Sequence, residues 1–111
     1  MRKFYYLTYG SFESKESVKQ LLDSIWDISC DEHDSDYLGI YYFYSGIFAD
    51  KLTIKDNIQH EKNDNFPTLI EISFINGKNT DKLSRYKFIK NVFSELKIAS
   101  LINDEHISED V

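Results

Sequence analysis

The chain has one cysteine, one proline and four glycines in 111 residues. No apolar run approaches the roughly 20 residues of a membrane span. A lone Cys30 excludes an internal disulfide and any multi-cysteine metal site. Gly10, Gly39, Gly46 and Gly77 are scattered as turn residues are, and none belongs to a phosphate-cradling loop or a nucleophile elbow. His33, His60 and His106 fall in two expected loops and a tail, without the i,i+4 ligand spacing of a helical metal site. Cys30 adjoins Asp31 and Glu32, whose carboxylates disfavour a thiolate, so it is a poor nucleophile. No catalytic residue, metal ligand or cofactor is therefore expected, and the chain reads as a non-enzyme. Met1-Arg2-Lys3 and the aromatic run after it look like the start of a signal peptide. Thr8 and Gly10 break that run and no small-residue cleavage site follows, so the expected compartment is the cytoplasm.

Positive charge is also scarce. The 13 Lys and Arg stand against 19 Asp and Glu, a net charge of −6. That balance opposes attraction to phosphate backbones and anionic lipid, so neither nucleic acid nor a membrane is an expected partner. The second predicted helix does carry Lys82, Arg85, Lys87, Lys90 and Lys97, but Asp81 and Glu95 interrupt the set.

What is present is apolar and aromatic: 41% hydrophobic residues, with 8 Tyr and 8 Phe, enough for one folded core in a chain of this length. Residues 4–9 read as a strand. Ser14 caps a helix in which Val18, Leu21, Leu22, Ile25, Trp26 and Ile28 recur at three- and four-residue spacing. Residues 30–36 read as an acidic loop, 37–44 as a second strand, and a third strand puts Phe48, Leu52 and Ile54 on one face. A polar connection over 56–65 leads to a fourth strand at 69–75. Asn79 or Thr80 then caps a helix with the stripe Tyr86, Ile89, Val92, Phe93 and Leu96. Residues 98–102 form either a fifth, edge strand or the docked end of that helix. The expected fold is α+β: an antiparallel-rich sheet of four to five strands, order β-α-β-β-β-α, with two amphipathic helices on one face, akin to a ferredoxin-like arrangement. Residues 1–102 make a single domain and 103–111 a flexible acidic tail.

The distribution of charge is the most informative feature. Between Lys19 and Lys51 there is no Lys or Arg, while Asp23, Asp27, Asp31, Glu32, Asp34, Asp36 and Asp50 all fall there. Glu32, Asp34 and Asp36 have the spacing that opens a calcium loop, but its sixth and twelfth positions are Tyr37 and Phe43 rather than Gly and Glu. Asp23 and Asp27 form a like-charged i,i+4 pair near a helix C-terminus, where the macrodipole also disfavours anions. Tyr37, Tyr41, Tyr42 and Tyr44 follow directly. Two readings fit. The acids solvate a helix end while the tyrosines fill both sheet faces, or Asp23, Asp27, Asp31, Glu32, Asp34, Asp36, Tyr37 and Tyr41 form a surface for a basic protein, with carboxylates steering approach and tyrosines anchoring it.

In size, acidity, aromatic content and α+β order, the chain resembles the small immunity proteins that neutralise bacterial toxins, including those of contact-dependent growth inhibition. The resemblance is one of architecture and composition and transfers no residue. It implies a non-enzymatic inhibitor that occludes the substrate site of a basic toxin domain, a nuclease among the candidates. A phage-encoded inhibitor of a host nucleic-acid enzyme, a structural or regulatory subunit bound through a sheet edge, and an enzyme with a site assembled across strands are the alternatives.

Overall fold

The computed structural model describes residues 1–58 and 66–110, so His60 and most of the expected polar connection lie outside the described residues. Eight elements follow one another: β1 (Arg2–Ser11), α1 (Lys15–Trp26), β2 (Asp31–Ser35), β3 (Gly39–Tyr44), β4 (Lys51–Asp56), β5 (Thr68–Phe74), α2 (Asn79–Leu96) and β6 (Ser100–Glu109). The strands form one antiparallel sheet in the order β2-β3-β4-β5-β1-β6. Without the hairpin β2–β3, the chain is β1-α1-β4-β5-α2-β6 with spatial order β4-β5-β1-β6, the split β-α-β topology of ferredoxin-like folds. The hairpin widens that sheet beyond β4.

Both helices cover the same face. Register places Tyr5, Leu7 and Tyr9 of β1 opposite Phe74, Ile72 and Ile70 of β5, and Leu52 and Ile54 of β4 opposite Ile72 and Ile70. With Tyr42 of β3 these side chains form the buried floor of the core. Val18, Leu22 and Trp26 of α1 and Tyr86, Ile89 and Phe93 of α2 close over it, following the helical stripe of the sequence. Ring contacts join the layers: Tyr9 stacks on Phe93 at 4.4 Å and Tyr5 on Tyr86 at 4.9 Å. Phe48 lies in the β3–β4 connection rather than on a strand, and its ring stacks between Trp26 and Phe88, bridging the two helices. At the other face Gly10 leaves room for the Phe66 ring, since a Cβ there would stand 2.4 Å from it.

Three expectations are corrected. The sheet has six strands, because the acidic stretch taken for a loop forms β2 and the stretch taken for a frayed tail forms most of β6. β2 is held by five register pairs with β3, from Asp31↔Phe43 to Ser35↔Gly39. The hairpin turns where the Ser35 hydroxyl accepts the N–H groups of Tyr37 and Leu38 and Gly39 takes a positive φ of 71°. β6 pairs along β1 from Gly10↔Ser100 to Arg2↔Glu109, with Ile102 bulged between Leu101 and Asn103. The third correction concerns helix starts. Ser14 caps α1 as expected, its hydroxyl accepting the Ser17 N–H at 3.1 Å, but the residue before α2 is Lys78, which makes no side-chain cap. Asn79 instead clamps the start of β1, accepting the Lys3 N–H and donating to the Met1 carbonyl.

Candidate functional site

Strand alternation divides the acidic run. Glu32 and Asp34 project on the helix side of the sheet, paired across with Tyr42 and Ile40. Asp31 and His33 project on the open side, opposite Phe43 and Tyr41. The His33 ring stacks on Tyr41 at 5.4 Å and meets the edge of Phe43 at 5.7 Å. Asp31, Glu32, Asp34 and the turn residue Asp36 are all exposed. Asp27 is exposed as well, at the C-cap of α1 in the left-handed region. Five carboxylates thus gather on the β2 edge, its turn and the adjoining helix end, in a stretch without a lysine or arginine.

Asp23 does not join them. It pairs with Lys19 at 2.5 Å and accepts the Cys30 N–H at 2.9 Å, tying the end of α1 to the start of β2. Burial works to raise its pKa, but the Lys19 ammonium and the Cys30 hydrogen bond outweigh that and hold the carboxyl below its ordinary value. The surface column of Asp23, Asp27 and Asp31 is therefore broken at its first member.

Tyr37 stands 71% exposed at the hairpin turn, and Tyr41 is half-buried on the open face. Tyr37 lines a hollow of about 570 Å³ there and Tyr41 an adjoining one of about 290 Å³; Leu38 and Lys55 border both. Tyr42 lies under α1, its hydroxyl donating to Glu16. The open face has mixed charge: Lys55 pairs with Glu71, and Lys51 is exposed beside them. Strong negative charge belongs to the edge and the hairpin turn, not to this face.

The basic residues of α2 are largely engaged within the fold. Lys82 is 1% exposed, with its ammonium 4.8 Å from the centre of the Phe4 ring. Arg85 makes a two-pronged contact with Asp50 at 2.9 and 3.1 Å. Asp50 also accepts the N–H groups of Ile75 and Asn76, and these bonds with Arg85 overcome burial to lower its pKa. Lys90 joins a cluster that sequence reasoning missed. Its ammonium reaches Asp104 at 2.8 Å, the Tyr86 hydroxyl donates to Asp104 at 2.7 Å, and His106 Nε2 lies 2.8 Å from that hydroxyl. Burial and then the Asp104 carboxylate raise the Tyr86 pKa. No motif announces this group, because its members come from a helix and from a stretch read as a tail.

Burial, and after it the Asp23 carboxylate, pushes the Cys30 thiol up to about 12, so it is not a thiolate at neutral pH. Among the described residues no three His, Cys, Asp or Glu side chains converge to hold a metal ion, and no helix is long and apolar enough to cross a membrane. Comparisons with protein-family models, with curated proteins and with solved structures find no match to this chain.

Proposed function

We propose that this chain is a non-enzymatic binding protein that takes a cationic protein domain on its β2 edge and hairpin turn. The partner it suits is a bacterial toxin, a nuclease, whose phosphate-binding site must itself be basic. Covering that site would neutralise the toxin. The observation that carries the reading is the anionic edge: Asp31, Glu32, Asp34 and Asp36 are exposed together, with Asp27 close in sequence and Tyr37 projecting at the turn. Carboxylates so placed accelerate encounter with a cationic surface, and an exposed tyrosine supplies stiff contact area with a polar tip.

The test is co-purification with the product of an adjacent gene, followed by assay of that partner's nuclease activity with and without the chain. A stable complex and loss of cleavage are expected. Tyr37→Ala should speed dissociation by about tenfold, the effect of truncating an anchoring aromatic. A complex that forms with no suppression of cleavage would contradict inhibition. Turnover of nucleic acid by the purified chain alone would contradict the non-enzymatic reading.

A further inference from the structure

The two edges of the sheet are protected differently. β6 carries a bulge at Ile102 and is tied to α2 through Asp104, His106, Tyr86 and Lys90. A bulge of this kind hinders an edge from accepting another strand, and the ties hold β6 to the helix layer. β2 has neither. Its five residues are paired on one side with β3, in register throughout, they include no proline or lysine, and among the described residues no strand pairs with the outer side. Alternate backbone N–H and C=O groups therefore point outward from a regular strand, the template that a further strand needs.

Charge then selects the strand that can pair. A second copy of this chain, pairing antiparallel about His33, would set Glu32 against Asp34 of the other copy twice over, and like charges directly opposite are destabilising. An acidic segment meets the same repulsion. A segment with Lys or Arg at alternate positions instead sets each basic residue opposite a carboxylate residue of β2, Cβ atoms about 4.5–5.5 Å apart, within reach of an ion pair. α1 packs over β4 and β3, and Glu32, Asp34 and the 42% exposed Ile40 are left open on the helix side. There the aliphatic stems of long basic side chains can lie while their heads reach the carboxylates.

We propose that β2 is a docking edge for an extended, basic segment of a partner protein, which adds to the sheet as a seventh strand beside Asp31–Ser35. This rests on the proposed reading of the acidic edge and specifies how the partner is held. Backbone hydrogen bonds hold the segment, and Glu32 and Asp34 choose its charge.

An eight-residue peptide alternating lysine with threonine and valine is the probe, at millimolar concentration, with amide exchange of the protein followed by NMR. At ten times its dissociation constant it should slow the outward amides of β2 by about tenfold and leave those of β6 unchanged. The same peptide N-methylated along one backbone edge should bind at least about fivefold more weakly, because its donors are gone while its charge is kept. A glutamate-for-lysine peptide should not bind. Equal binding by the N-methylated peptide, still abolished by Glu32→Gln with Asp34→Asn, would overturn strand addition and leave the acidic edge standing as a charged surface. Binding indifferent to those substitutions, or protection along β6, would overturn both. Failure of the lysine peptide to protect any β2 amide would overturn strand addition outright.

Discussion

Asp23 and Asp50 show how little the residue type says about its task in an acidic chain. Both lie between Lys19 and Lys51 in sequence, yet each has its own cation and accepts backbone N–H groups, whereas Asp31, Glu32 and Asp34 are exposed on the edge strand. Because the folded pKa values of Asp23 and Asp50 are depressed, their stabilisation is fully present above about pH 4, the unfolded carboxylate value. It is lost as pH falls through the lower folded values. Asp50→Asn leaves the Arg85 guanidinium without its carboxylate and should cost about 2–3 kcal/mol at neutral pH, with Asp23→Asn costing less. Urea unfolding of both variants between pH 2 and 7, read as rough limits for the carboxylate titration, checks this. Each variant should lose part of the wild-type decline below pH 4, and an unchanged acid limb would show that neither carboxylate is coupled to folding.

At the scale of elements, strong periodicity was readable and edge strands were not. The α1 stripe of Val18, Leu22 and Trp26 and the β5 alternation of Ile70, Ile72 and Phe74 bury apolar side chains, so pattern and position agree. β2 is Asp-Glu-His-Asp-Ser, residue types that rarely form strands, and it is a strand because β3 supplies a partner and the Tyr41 ring covers His33. β6 points Asp104 and His106 toward the helices, where Tyr86 and Lys90 meet them, so its inward positions show no apolar period. Truncation after Ile102 therefore removes the β6 partner from most of β1 and opens the Tyr86 cluster. It should cost of order 3 kcal/mol or more, measured as a lowered denaturation midpoint, and a wild-type midpoint would mean that β6 adds nothing to stability. Helix ends make a smaller prediction. Lys97 closes α2 at a positive φ of 57°, a conformation glycine adopts without a Cβ penalty. Lys97→Gly should stabilise the protein by about 0.5–1 kcal/mol in thermal unfolding, and a loss of stability would show that the Lys97 side chain contributes more than its backbone strain removes.

Taken whole, the molecule places its polar assets unevenly. The positive charges of α2 are turned to Phe4, Asp50 and Asp104, so a helix that reads as basic in sequence contributes few free cations. The negative charges of the β2 edge remain exposed, and the inserted hairpin carries them beyond the ferredoxin-like core. The sequence showed this asymmetry as a gap between Lys19 and Lys51, but only the fold separates Asp23, which is held internally, from the carboxylates that face outward. Removing outward acids should leave stability within about 0.5 kcal/mol of wild type, the range of ordinary surface substitutions. The decisive measurement is the association rate of the proposed cationic toxin partner, by stopped flow at low and high salt, with wild type and with Asp31→Asn, Glu32→Gln and Asp34→Asn combined. Binding through the acidic edge requires the variant to associate at least about tenfold more slowly at low salt and to lose most of its salt dependence; equal rates and equal salt dependence in the two proteins would contradict it.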